Sequence, residues 1–313
     1  MVDEETWTGW RDQIAQSKTL TELRRKLLAR AEQLGTLLIG LKQERAERSP
    51  NARLRRLDEW KLLGVDAKVA AMESSGASRF GQSQRLVLVR EDDPPQRQRF
   101  TVAHEIGHYF LSRSELASSR VTHSQEEALC DEFASKLLLP PAELAAELKS
   151  FGANPSITDI LSLCKGFGVG LQPMLIALRG QLNERAPIFV AASYRGHRLR
   201  PDVLDFRVDA SAHPRSLYVA KDQRLSSLGL AAVTEWASTQ KSSGRGQGTA
   251  PSLRLKLWDR ERHQSGTATG PADWEATRLR NGSVLLVRVA PHDLSLTWTS
   301  VRVESDGRAR SEA

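Results

Sequence analysis

Cysteine is scarce. Cys130 and Cys164 are the two in 313 residues, too few for a disulfide framework and in keeping with a reducing compartment. No apolar run approaches the roughly 20 residues of a membrane helix, so no membrane partner is expected. The opening residues Met1 to Trp7 include Asp3, Glu4 and Glu5, where a secretory leader would be basic and then apolar. These absences predict a cytoplasmic protein. There is no internal repeat and no glycine-rich phosphate cradle, which argues against a solenoid and against a P-loop enzyme.

The chain does carry enough apolar residues for a sizeable core: 40% hydrophobic against 27% charged, the balance of a globular protein. Its length predicts two or three domains. The net charge of +7 is a mild bias toward acidic partners, nucleic acid included.

The sharpest pattern is His104-Glu105-Ile106-Gly107-His108. Residues four apart on a helix share a face, so the two imidazoles can hold one metal ion. Glu105 is then placed to take a proton from an attacking water. With 7 histidines and 38 acids in the chain, the pattern should arise by chance only about 0.02 times. The plainer alternative is two ordinary histidines flanking an ion-pairing glutamate. Phe100, Val102, Ala103, Ile106, Tyr109, Phe110 and Leu111 make the helix apolar, so the pair would be partly buried and in need of partners.

Residues 1–50 read as helix. Thr19-Leu20-Thr21-Glu22 has capping-box spacing, and Leu20, Leu23, Leu27, Ala31, Leu34, Leu38 and Leu41 fall on one face. The other face mixes basic residues with Glu22, Glu32, Glu44 and Glu47, more a solvated surface than a nucleic-acid one. A joint at 49–58 precedes a strand at 65–72, a loop or hairpin connection at 73–84 and a clear strand, Arg85–Arg90. Residues 111–123 read as a loop and 126–139 as a helix stopped by Pro140-Pro141. Segments 157–168 and 171–183, joined by Gly168-Val169-Gly170, resemble a helix-turn-helix. The second is apolar, so packing is favoured over DNA contact. From 187 on, strands are expected at 188–192, 217–220, 253–258 and 283–289. Residues 296–303 are expected to pair with the last of these. A helix is expected near 226–238, and mobile loops at 239–251 and 264–272.

A catalytic zinc site needs a third protein ligand. His123, Glu126, Glu127, Cys130 and Asp131 lie downstream. Glu127 is preferred, as a carboxylate on a second helix. Asp131, one turn on, would bond a ligand imidazole. His123 is the rival ligand, and Cys130 reads as a small core residue.

Two segments carry a family resemblance. Arg97-Gln98-Arg99-Phe100-Thr101-Val102-Ala103 leading into His104–His108 resembles the signature of the ImmA/IrrE metallopeptidases, and Glu127 to Pro140 resembles their second motif. The likeness covers about residues 60–185. It implies that His104, His108 and Glu127 bind Zn2+, with Mn2+ the alternative in vivo, and that Glu105 is the general base. Tyr109, His123 and the arginines of 111–123 are candidates to stabilise the transition state. The strand Arg85, Leu86, Val87, Leu88, Val89 is a candidate to pair with an extended substrate. The implied fold class is α+β: a zincin-like metallopeptidase domain of helices on a small mixed sheet (56–152), preceded by a helical region (1–55). A helix-turn-helix-like middle (153–186) and a GAF-like α+β domain (187–313) complete it. The implied function is a zinc endopeptidase cutting a helix-turn-helix repressor at one site, derepressing stress, DNA-damage or mobile-element genes. The alternatives are a DNA-binding regulator and a sensor with a structural metal.

Overall fold

The computed structural model describes residues 2–48, 57–74, 76–80, 85–152, 155–179, 181–182, 187–194, 206–212, 217–219, 225, 244–259, 264–279, 282–289 and 295–299. The chain divides into two compact units: residues 1–146 with 165–170, and residues 147–164 with 171–313.

The first unit begins with helices α1 (Glu4–Ala15) and α2 (Leu20–Arg48). At the start of α2 Thr19 Oγ1 accepts the Glu22 N–H at 3.1 Å, as the capping spacing predicts, but the Glu22 carboxylate takes the Lys18 N–H at 2.9 Å, not that of Thr19. The predicted apolar face is buried at Leu23, Leu27, Ala31, Leu34 and Leu38. A 3-10 turn (Asp58–Leu63) ends at Gly64, whose φ of 79° is the left-handed value glycine favours.

A three-stranded sheet follows: β1 (Asp66–Ala70), β2 (Gly76–Phe80) and β3 (Arg85–Arg90), in the order β1-β3-β2. β1 runs parallel to β3 and β2 antiparallel to it. The connection 73–84 therefore contains a strand, and that strand is at an edge. β3 is central and its backbone is paired on both sides. The expectation that Arg85, Leu86, Val87, Leu88 and Val89 receive a substrate strand is corrected: their ladder positions are already filled. Arg85 is itself turned inward, bonded to Glu4 and at 3.2 Å to the Gly64 carbonyl.

The unit is completed by α3 (Pro95–Leu111), α4 (Glu115–Arg120) and α5 (His123–Leu138), with α6 (Pro141–Ser150) next in the chain. Pro95 opens α3, where its missing N–H costs nothing. α4 stands where a loop was expected; Ser114 caps it, accepting the Ala117 N–H at 3.2 Å. α5 starts with a reciprocal capping box between Thr122 and Gln125, at 2.9 and 3.3 Å. α2 packs along α5 so closely that a Cβ on Gly35 would meet the Leu137 carbonyl oxygen at 2.3 Å. Arg24 bonds Glu132 at 2.8 and 2.6 Å and Lys136 bonds Glu32 at 2.8 Å along the same seam. The N-terminal helices thus share a unit with α3 and α5, because the leucine face of α2 needs cover.

In the second unit α8 (Leu171–Leu178) follows α7 (Ile157–Phe167) after a bend of 107°. α8 packs on β4 (Ile188–Tyr194) and β5 (Phe206–Ala212) with Met174, Leu175 and Leu178 buried. These strands belong to an antiparallel sheet with β6 (Leu217–Val219), β7 (Gly244–Asp259), β8 (Gln264–Leu279), β9 (Gly282–Val289) and β10 (Ser295–Thr299). The order is β5-β4-β9-β8-β7-β6, with β10 also on β8. Two expectations are corrected here. Residues 244–251 and 264–272 are strands, since each supplies the other's backbone partners. β10 pairs β8 and not β9, because β9 already lies between β4 and β8. The β7–β8 ladder slips between Ala250 and Leu253, at Pro251, which has no N–H to offer. The helix expected at 226–238 lies outside the described residues. Among those described, no single helix is long and apolar enough to cross a membrane.

Candidate metal centre

His104 and His108 stand one turn apart on α3, and their Nε2 atoms face each other at 3.0 Å. The apolar side of the same helix is fully buried at Val102, Ala103, Ile106 and Phe110, which sets its rotation. Gly107 lies against α5: a Cβ there would be 3.2 Å from the Cys130 Cα and 3.3 Å from its Sγ. That close crossing brings the first turns of α5 up to the two imidazoles.

Glu127 reaches both. Its Oε2 is 3.4 Å from His104 Nε2 and its Oε1 is 3.2 Å from His108 Nε2. Each imidazole meets a second carboxylate on its other nitrogen: Asp131 Oδ1 at 2.8 Å from His104 Nδ1, and Glu126 Oε1 at 3.1 Å from His108 Nδ1. A neutral imidazole whose Nδ1–H donates to a carboxylate presents a lone pair at Nε2. Two such lone pairs and the Glu127 carboxylate converge on one point. All three are acceptors, and a cation satisfies them together. Burial lowers the His104 pKa, but the Asp131 hydrogen bond and the charges of Asp131, Glu127 and Glu105 outweigh it, so the net direction is upward. The same surroundings favour a metal ion. Two imidazoles and one carboxylate are the protein donors of a catalytic zinc centre of the two-histidine, one-glutamate type.

Cys130 also places its Sγ within 4.8 Å of the histidine donor atoms. Metals bind the thiolate. Burial, then the charges of Glu126, Glu127, Asp131 and Glu105, push the Cys130 pKa up in the metal-free protein. Glu127 is the better third donor by position, with one oxygen 3.4 Å from His104 Nε2 and the other 3.2 Å from His108 Nε2.

Glu105 faces the edge strand β2. Its Oε2 accepts the Ser78 hydroxyl at 2.5 Å, and a Cβ on Gly76 would lie 3.0 Å from its Oε1 and 2.4 Å from Thr101 Cγ2. His123 is 87% exposed, with Nδ1 3.9 Å from Glu127 Oε1, at the mouth of the site. Tyr109 is corrected as a transition-state candidate. It is 2% exposed and its ring packs on Trp7, Phe80 and Phe110, because one residue beyond His108 the helix has turned by about 100°. Arg99 is structural: it binds Glu59 and the carbonyls of Phe167 and Gly168.

Sequence reasoning did not assign Glu126 to the second histidine, although two imidazoles call for two carboxylates. It also did not assign Gly76 and Ser78. Ala77, Ser78, Arg79 and Phe80 run apolar, polar, polar, apolar, so no period-two signal marks this strand.

Residues 61–177 match the family model of the peptidase described as the IrrE N-terminal-like domain. The radiation response metalloprotease IrrE of Deinococcus radiodurans is 31% identical over 133 residues, which span 40% of this chain and 38% of that protein. A solved structure of a Mycobacterium tuberculosis transcriptional regulator covers 92% of this chain and 80% of its own, at 15% identity and a TM-score of 0.42, too distant to carry an argument.

Proposed function

We propose, from the premise that this chain belongs to the ImmA/IrrE family through its residues 61–177, that it is a zinc-dependent endopeptidase. Its substrate is a helix-turn-helix transcriptional repressor, cut at one site to release stress or DNA-damage genes. The observation that carries this is the convergence of His104 Nε2, His108 Nε2 and the Glu127 carboxylate, with Asp131 and Glu126 behind the two imidazoles.

Zinc held by His104, His108 and Glu127 would supply Lewis acidity to the scissile carbonyl and to the attacking water. Glu105 takes the water's proton and returns it to the leaving amine. Ser78, donating to Oε2, orients that carboxylate. Asp131 and Glu126 keep both imidazoles in the tautomer that presents Nε2. The outer edge of β2 is the place for an extended substrate segment, since among the described residues no strand pairs with it. His123, exposed at the mouth, is the remaining side-chain candidate for the oxyanion. Residues 187–313 act as a GAF-like sensing or docking domain, for which the antiparallel sheet backed by α8 is the support. The burial of Met174, Leu175 and Leu178 weighs against α8 as a DNA reader.

The test is cleavage of the candidate repressor by the zinc-loaded protein, beside Glu105→Gln and Glu127→Gln. One pair of fragments is expected from the wild type and none from Glu105→Gln. Equal cutting by Glu105→Gln would refute the assignment of the base.

A further inference from the structure

α1 and α2 enclose a cleft of about 280 Å3 whose polar lining is Gln13, Gln16, Arg25, Lys26, Arg30 and Gln33. Three cations and three amides line it, and no carboxylate does. Arg30 is half-buried, and burial pulls its pKa below the usual guanidinium range. Its partners are neutral: it donates to Gln33 Oε1 at 2.7 Å and to Gln13 Oε1 at 3.1 Å, while its buried Nε has no hydrogen-bond partner among the described residues. Its guanidinium carbon lies over the Trp10 ring, 4.3 Å from the centroid. The neighbouring acid, Glu22, is taken by Lys26 at 2.8 Å.

A cation drawn out of water without an opposite charge is costly. An oxyanion in the cleft removes that cost, and a planar guanidinium suits phosphate geometry. The volume exceeds that of a bare ion yet falls just below the usual range for drug-sized ligands, about 300–1,000 Å3. We propose that the α1–α2 cleft binds a small phosphate monoester, its phosphate on Arg30, Arg25 and Lys26 and its remainder on the glutamine amides. The ligand joins α1 to α2. Because α1 also lays Trp7 on Tyr109 and Phe110 of α3, occupancy braces the helix that carries His104 and His108.

The experiment is calorimetric titration of the full chain at fixed chloride with AMP, glucose 6-phosphate, inorganic phosphate and, as the phosphate-free control, adenosine. One-to-one binding of a phosphate compound but not of adenosine is expected. Arg30→Gln should weaken it about tenfold or more, in line with the loss of a charge-assisted bond. Equal affinity for inorganic phosphate assigns the site to the free ion, and tighter binding of AMP or glucose 6-phosphate assigns it to the ester. Should Arg30→Gln unfold by circular dichroism, the exposed Arg25, as Arg25→Gln, makes the same comparison. The proposal is overturned by the absence of any phosphate compound binding below millimolar concentration, by binding unaltered in these variants, or by binding seen with duplex DNA alone. Binding that chelation of metal abolishes belongs at His104 and His108 and also overturns it.

Discussion

His104 makes its proton and its metal compete. Its pKa is raised above the ordinary 6.5. In the metal-free protein that proton stabilises the fold below the unfolded value, and the contribution is lost as pH rises through the raised folded value. Metal binding takes the unprotonated ring. Metal affinity, measured by chelator competition, should therefore climb as pH rises past the ordinary imidazole value of 6.5 and through the raised folded one, while the metal-free melting temperature loses the His104 contribution over the same window. A flat affinity would detach His104 from the metal. Glu126→Ala removes the carboxylate 3.1 Å from His108 Nδ1. It should weaken metal binding about 10–100-fold with the fold intact. Unchanged affinity would make Glu126 a bystander. Cys164, with its pKa pushed up to about 12 by burial, should react with thiol reagents only after denaturation.

Two glycines in α2 are predicted to respond with opposite signs. At Gly35 a Cβ would be 2.3 Å from the Leu137 carbonyl oxygen and 2.6 Å from Pro140 Cγ; at Gly40 nothing lies within 4 Å. Gly40→Ala should stabilise by about 0.5–1 kcal/mol through helix propensity. Gly35→Ala should destabilise by about 1–3 kcal/mol, since α2 must lift from α5. Urea denaturation of the pair checks both, and a shared sign would show that α2 does not lie on α5 as described. α1 is tied down chiefly by Trp7, fully buried, stacked on Phe110 and donating to the Leu63 carbonyl at 3.0 Å. Trp7→Ala should cost about 3–5 kcal/mol. That loss should appear in the same melting transition as mutations in α3, because α1 packs on it.

The molecule consists of two compact units, so heating should give more than one calorimetric transition. A metal that binds only the folded site adds about 2.7 kcal/mol at a hundredfold excess over Kd. It should raise the transition that contains α3 and α5 and leave the other in place. Movement of both together would mean that the units melt as one.

Features that rest on local geometry were legible in the residues alone. A helix turns about 100° per residue, so His104 and His108 had to share a face, and the leucines of α2 had to form a stripe. The acid-led helix ending at Pro140 was legible for the same reason. Features that rest on one element meeting another emerged with the folded chain. The crossing of Gly107 over Cys130 brings Glu127, Glu126 and Asp131 to the imidazoles. Strand order makes β2 the edge and β3 the centre, and seats Ser78 on Glu105. The small-residue segments of β7 and β8 became strands only through each other. A strand's backbone bonds are made to another strand and never within itself, so neither its existence nor its free edge can be read from its own residues.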